Sequence, residues 1–366
     1  MSGVRHLYVH LPFCTSRCGY CAFVVEVGGL ERRDSYVGAL RDELALENGQ
    51  LANSLDTVYF GGGTPTLMGA ERIAQIMAFL GSRVGPETEV SIEANPETVD
   101  AATFDAFREC GITRVSIGAQ SFQPSLLSTL DRQASAEQVR NAVAAARESG
   151  MRSLSIDLLF GIPGQDDAQL AADLGAVDEL RPDHISWYEL EVKPGSKLAR
   201  QGAEVDEDFT ENAYHTIVEH LEAGGYRWYE TANFALPGHE CRHNLAYWGA
   251  ADYLGVGIGA VSTVGGLRWR NAPDFSRYVA AVADGRRPRR SEEHLDADTR
   301  RRERWMLALR RDEAMSLHWA GPPDHPDEIG HLASIGLLRC DGDTLRLTRQ
   351  GRFLQNAVLG KLMEYV

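Results

Sequence analysis

The stretch Tyr8-Val9-His10-Leu11-Pro12-Phe13-Cys14-Thr15-Ser16-Arg17-Cys18-Gly19-Tyr20-Cys21-Ala22-Phe23 decides how this chain is read. It sets three cysteines within eight residues, directly after an apolar, strand-like run from Leu7 to Leu11. Thiolates so close in sequence can converge on a soft metal centre. The spacing C-x3-C-x2-C supplies three sulfurs, whereas an ordinary [4Fe-4S] cluster is held by four cysteines. One iron is then left open to a small molecule, as a catalytic metal keeps a vacant position. The same residues also allow a zinc site completed by a remote ligand such as His10, or a disulfide.

Outward from this stretch, short β-rich runs alternate with amphipathic helical ones. Strands are expected at Leu7–Leu11, Thr57–Phe60, Glu89–Ala94, Arg114–Gly118, Ser153–Phe160 and His184–Leu190, with helices between them such as Asp34–Leu51 and Ser135–Ser149. Six β/α units follow, and such alternation implies a parallel sheet with helices outside it. Special residues crowd just after the strand ends, which fits an α/β fold of partial (β/α)6 barrel type with its site at the C-terminal face of the strands.

The bulk composition narrows the function classes. A chain of 366 residues has room for one large domain and a smaller one. A formal net charge of -15 argues against a generic polyanion binder, so no nucleic-acid partner is expected. Without a membrane-length apolar run or a signal-peptide core, the chain is expected to be cytoplasmic. Six cysteines are too few for a disulfide scaffold, and Cys110, Cys241 and Cys340, apart from the cluster, read as buried thiols.

Each strand end carries a polar or glycine-rich feature. Gly61-Gly62-Gly63-Thr64-Pro65 follows the second strand, where residues lacking Cβ let backbone groups approach a ligand. The third ends in Glu93-Ala94-Asn95-Pro96 and the fourth runs into Gly118-Ala119-Gln120-Ser121-Phe122, with Arg132 twelve residues beyond Gln120. The fifth contains Asp157 and runs into Gly161-Ile162-Pro163-Gly164-Gln165.

Taken with the cysteine spacing, these motifs resemble the radical S-adenosylmethionine (SAM) superfamily. In that family the open iron binds the amino and carboxylate groups of SAM, and the reduced cluster cleaves the sulfonium to give a 5'-deoxyadenosyl radical. The resemblance implies a [4Fe-4S] cluster on Cys14, Cys18 and Cys21. It implies SAM contacts from Tyr8, Gly62, Gly63, Thr64, Glu93, Gln120, Arg132 and Asp157. It also implies a reductant such as flavodoxin or ferredoxin.

Tyr-Val-His-Leu-Pro-Phe-Cys, Gly-Gly-Gly-Thr-Pro, Glu-Ala-Asn-Pro and Gly-Ala-Gln-Ser-Phe narrow the resemblance to the coproporphyrinogen-oxidase-like branch. Two subgroups compete there, the oxygen-independent coproporphyrinogen III oxidases and the haem chaperones. Three features favour the chaperones. Phe23 stands where the oxidase has a fourth cysteine, and only 13 residues precede Cys14. His243-Asn244-Leu245-Ala246-Tyr247-Trp248 is similar to the chaperones' H-N-x-x-Y-W signature. It implies haem as a passenger, with His243 offering an imidazole to the iron beside the aromatic faces of Tyr247 and Trp248.

The resemblance further implies haem-accepting apo-proteins as partners, membrane-associated acceptors among them, for a chain not itself transmembrane. His239, Cys241 and His243, spaced by two, allow a second soft-metal site, with a chance thiol at Cys241 as the simpler reading. The glycine-rich run Gly255 to Ser262 implies no nucleotide fold, because no helix follows it. In relatives such a run closes the barrel's open side, often with a histidine where this chain has Val261. Leu130-Asp131-Arg132-Gln133-Ala134-Ser135 departs from the family's L-G-R-x-H-S at Asp131 and Ala134.

Near Gly285-Arg286-Arg287-Pro288-Arg289-Arg290 the composition shifts, so the barrel and its closing extension are expected over 1–285 and a small winged-helix-like α+β domain over 286–366. Such a domain covers the barrel mouth in the family, although the fold alone would also suit DNA contact. Three functions therefore compete: a haem chaperone that binds cluster, SAM and haem, a radical enzyme acting on a porphyrin-like or aromatic substrate, and a winged-helix regulator with a redox-sensing cluster.

Overall fold

The computed structural model describes residues 3–364. At its centre are the parallel strands β1 (His6–Leu11), β2 (Thr57–Gly62), β3 (Glu89–Ala94), β4 (Arg114–Gln120), β5 (Ser153–Phe160) and β6 (His184–Glu189). They lie side by side in chain order. An antiparallel pair, β7 (Arg227–Trp228) and β8 (Asn233–Ala235), extends the sheet beyond β6. At the other edge β9 (Leu254–Val256) pairs in parallel with β1, Leu7 opposite Leu254. The two edges do not pair with each other, so the barrel is partial and open, with three strands beyond the six expected.

Helices α1 (Arg33–Leu46), α2 (Ala70–Leu80), α3 (Ala101–Glu109), α4 (Ala136–Glu148) and α5 (Asp167–Leu180) fill the crossovers between the first six strands, and α6 (Glu207–Ala223) follows β6. Capping boxes start two of them: Ser135 with Gln138 opens α4, and Asp166 with Gln169 opens α5. Each cap is worth about 1 kcal/mol. The helix expected to reach Leu51 stops at Leu46, because Leu51 leaves to form a parallel bridge with Val4.

The strands alternate with period two, and the two faces differ in chemistry. Leu7, Val9, Val58, Phe60, Val90, Ile92, Val115, Ile117, Leu154, Ile156 and Ile185 point to the helices and form the main core. The opposite face carries Tyr59, Ser91, Glu93, Arg114, Ser116, Asp157, His184 and Ser186, which line the lumen. This barrel is therefore packed outside and polar inside.

Beyond β9, Val261–Val264, Leu267–Asn271 and Arg289–His294 form an antiparallel sheet. The arginine-rich stretch at the expected boundary after residue 285 thus runs into a strand of the closing extension, where Arg289 stacks on Trp269 with its guanidinium carbon 4.0 Å from the ring centre. Buried Glu43 of α1 locks this extension to the barrel, accepting from the Gly257 N–H (2.8 Å), Asn271 Nδ2 (2.5 Å) and the Tyr278 hydroxyl (2.6 Å).

The C-terminal part is a winged-helix-like unit. Met315–Ser316, Thr344–Leu347 and Leu338–Asp341 form its sheet, and Trp305, Leu309, Leu332, Leu345, Leu359 and Leu362 its separate core. It docks on β7: Arg352 lies 3.5 Å over the Trp228 ring and donates to the Trp228 carbonyl (2.7 Å), while Arg227 forms a two-bond fork with Asp312.

Candidate functional site

The loop carrying the cysteines is fixed at several points. Phe13–Cys14 pairs in parallel with Glu26–Val27, the Gly28 N–H donates to the Cys14 carbonyl (3.0 Å), and the Gly19 N–H donates to the Leu130 carbonyl (2.9 Å). Cys14, Cys18 and Cys21 are free, half-buried thiols on the wall of one cavity of about 500 Å³. Burial raises Cys14 to about 11, so metal binding there releases a proton.

The donor set fits a cluster better than the other two readings. The three thiols are unpaired, so no disulfide joins them, and a cube takes each thiolate on a separate iron. His10 is no fourth ligand in this arrangement. Its Nδ1 faces the Tyr8 hydroxyl at 3.0 Å and its Nε2 the Val24 carbonyl at 2.8 Å.

Seven of the eight residues expected at SAM line the same cavity as the cysteines: Gly62, Gly63, Thr64, Glu93, Gln120, Arg132 and Asp157. Tyr8 does not. It lies beneath, stacked on Tyr59 with ring centres 6.2 Å apart.

Arg132 joins the cysteine loop to the strand ends. Its Nη1 reaches Cys18 Sγ (3.6 Å) and its Nη2 the Gly118 carbonyl (2.7 Å), while both contact Asn95 Oδ1. Asn95 in turn donates to the Thr64 hydroxyl (3.1 Å), which donates to Cys14 Sγ (3.7 Å). The Nε of Arg132 is buried without a partner, a donor directed at nothing in the protein itself.

Glu93 accepts from the Gly62 N–H (2.9 Å) and the Tyr59 hydroxyl (3.0 Å), and burial raises it to about 7. Asp157 accepts from Ser116 (2.8 Å), and burial raises it too. Gln120 sits at the end of β4 with φ 67° beside a register shift between Gly118 and Gln120, a left-handed conformation that costs a non-glycine residue about 1–3 kcal/mol. Asp131 also has positive φ, 54°, at the position where the family pattern has glycine, and Lys197 holds its carboxylate at 2.8 Å. An Asp side chain tolerates this backbone, so the departure leaves the Arg132 loop intact.

His243 lies at the other end of the strands, in the first turn of α7 (Arg242–Trp248). Its Nδ1 meets the hydroxyl of Thr57, the first residue of β2, at 2.8 Å, and Thr57 also meets His6 Nδ1 at 3.1 Å. Glu89, the first residue of β3, accepts from the Arg242 and His243 N–H groups (each 3.1 Å). The imidazole packs against Tyr59 with ring centres 5.1 Å apart, and burial lowers it to about 3, so it is neutral. Tyr247 is exposed, and Arg310 lies over Trp248 at 5.5 Å.

The row His239, Cys241, His243 does not converge. His239 Nδ1 faces Ser153, and Cys241 Sγ faces Glu89 Oε1 at 3.6 Å. Cys241 is buried, as expected, whereas Cys340 is exposed and Cys110 only half-buried. The lumen serines Ser91, Ser116 and Ser186, with Asn95 and Asn244, were not anticipated as site residues. A polar residue at every second strand position was the available signal, as in Ser91-Ile92-Glu93 and Ser155-Ile156-Asp157.

The profile of the radical SAM superfamily matches residues 8–176. The chain is 38% identical to the "Heme chaperone HemW" of Mycobacterium tuberculosis, over 98% of this chain and 94% of that protein. It is 30% identical to the "Heme chaperone HemW" of Bacillus subtilis, over 98% and 99%. Its fold is similar to that of coproporphyrinogen III oxidase (HemN) from Escherichia coli, with TM-score 0.87 and 24% identity over 100% of this chain and 91% of that one. That likeness speaks to architecture. By sequence, over nearly its whole length, the chain belongs to the HemW family within the radical SAM superfamily.

Proposed function

We propose that this protein is a radical-SAM-type haem chaperone that holds a [4Fe-4S] cluster on Cys14, Cys18 and Cys21, binds SAM beside it, and receives haem for delivery to acceptor apo-proteins. The single observation that carries the reading is the convergence of three free thiols with seven motif residues on one cavity wall. The bound cluster supplies the electron that reductive SAM chemistry needs, from a donor such as a flavodoxin or ferredoxin.

The chain's own groups then have distinct tasks. Arg132 places a buried positive charge beside Cys18, suited to the carboxylate of SAM. Glu93 holds the Gly62 N–H, shaping the glycine loop, and with Asp157 offers acceptors to ribose hydroxyls. His243 is neutral and has a nitrogen to offer. If Nδ1–H donates to Thr57, the lone pair of Nε2 is free for haem iron. Haem would then sit at the opposite end of the barrel from SAM, near the exposed Tyr247. No helix among the described residues is long and apolar enough to cross a membrane, so membrane-associated acceptors would be met from the surface.

Anaerobic reconstitution followed by haem titration tests the reading. The expected result is a Soret shift that His243→Ala abolishes while iron, sulfide and SAM binding stay at wild-type levels. No shift in the wild-type protein, or one unchanged in His243→Ala, would refute haem transfer through this residue. Formation of protoporphyrinogen from coproporphyrinogen III by the same sample would instead establish the oxidase.

A further inference from the structure

His10 is conspicuous for what surrounds it. It belongs to β1, is 6% exposed, and is not on the wall of the cysteine cavity, yet four other segments meet on it. Its Nε2 faces the Val24 carbonyl, three residues past Cys21 in the cysteine loop. Its Nδ1 faces the Tyr8 hydroxyl. Its ring lies against Gly62, where a Cβ would come within 2.6 Å of Cε1 and 2.7 Å of Nδ1. Its carbonyl accepts from the Tyr36 hydroxyl of α1 (2.9 Å) and lies 2.6 Å from where a Cβ on Gly257 would sit, in the segment that closes the barrel.

The chemistry of these partners fixes the tautomer. A carbonyl can only accept, so the proton sits on Nε2 and is donated to Val24. Nδ1 then carries the lone pair and accepts from Tyr8. Burial lowers the ring's basicity, which keeps this single neutral form. Gly62 has φ 122°, a backbone open to glycine, and its N–H is the one held by Glu93. A flat, two-sided wedge therefore stands between the loop that carries the thiols and the glycine loop expected to contact SAM.

We infer that His10, oriented by Tyr8, is a positioning residue that sets the cysteine loop against the Gly62 loop, so that SAM can span from the cluster to the strand ends. The inference rests on the reading of this cavity as the cluster and SAM site. It also gives Tyr8 a task that its place beneath the cavity permits: it holds the imidazole rather than the nucleotide.

Two variants and two readouts test it. His10→Leu fills the space without either hydrogen bond, and His10→Gln retains an N–H donor that can reach Val24. In the metal-free protein, hydrogen exchange follows the amides of Glu26 and Gly28, which donate to the Pro12 and Cys14 carbonyls when the cysteine loop is docked. His10→Leu is expected to speed exchange there by about tenfold or more while amides of the central strand β5 keep wild-type rates. In reconstituted protein, His10→Leu is expected to keep its iron and sulfide but bind SAM about tenfold more weakly, with His10→Gln within about threefold of wild type.

Wild-type SAM affinity and loop protection in His10→Leu would overturn the inference. So would faster exchange spread evenly over β5, or a Gln variant no better than Leu, since a general loss of stability would produce both. A wild-type protein that takes up cluster but no SAM would refute the functional reading instead, and loop exchange in the metal-free variants would still decide whether His10 docks the loop.

Discussion

Gln120 carries a backbone conformation that its residue type resists, and it does so on the wall of the cavity. Its φ of 67° keeps the amide side chain at the C-terminal end of β4, where the register slips past Gly118. Strain held at such a point implies a return in function. Gln120→Gly is therefore expected to raise the metal-free protein's unfolding free energy by about 1 kcal/mol in urea titration and to weaken SAM binding. Gln120→Ala keeps the strain and loses the amide, so it weakens SAM binding without that gain. Equal stability of the Gly and Ala variants would show that the backbone is not strained. Spacing pointed to the cysteines, and the family resemblance to Gln120, Glu93 and Arg132. Neither revealed what His10 or Tyr8 touch, since those partners, Val24 and Gly62, come from other segments and meet only in the folded chain.

Among the elements, the six strands of the first half were legible from β-rich runs between amphipathic helices, and their ends fall within two residues of expectation. The strands that finish the sheet were not. Arg227–Trp228, Asn233–Ala235 and Leu254–Val256 are two or three residues long, too short for period-two alternation to register. The composition shift at the arginine-rich stretch also misleads: Arg287 and Arg289 pair with buried Glu47, and Trp269 receives the Arg289 face, so charge there is structural.

Glycine explains how β9 is held. A Cβ on Gly255 would lie 2.2 Å from the Val261 carbonyl oxygen, a contact with backbone that cannot turn aside. Gly255→Ala should cost about 1–3 kcal/mol or more. Its signature should be loss of amide protection at Leu254 and Val256 ahead of β5. Wild-type stability in Gly255→Ala would show that the closing segment can shift freely.

For the whole molecule, buried titratable groups set the acid response. Burial lowers His6, His10 and His184, and lowers His243 to about 3. The unfolded chain therefore binds more protons at these sites below the ordinary histidine value near 6.5, and stability falls as pH drops. Glu43, Glu93 and Glu230 are each raised by burial to about 7, so between about 4.5 and 7 the folded chain binds more protons at them and stability rises as pH drops. The two groups oppose each other from about 6.5 to 4.5. Below about 4.5 the glutamates no longer respond; Asp157 and Asp173, also raised by burial, oppose only until about 3.8, while the histidines and Asp34 and Asp56, lowered by their arginine partners, act toward unfolding. Thermal melts of the metal-free protein should show a shallow dependence down to about pH 4.5 and a steep fall beneath it. A steady decline from pH 6.5 would mean that the glutamates are ionised in the folded state.

The pairing of Leu254–Val256 with the first strand also has a consequence during synthesis. One side of His6–Leu11 stays without its neighbour until roughly 250 residues have been made, which at ribosomal speed takes on the order of tens of seconds. Throughout that interval the nascent chain displays a bare, apolar ribbon edge, the kind of surface that recruits foreign strands. Ribosome-stalled chains from which Leu254–Val256 has not yet emerged should thus be adhesive, and chains long enough to bring that segment clear of the ribosome should be quieter.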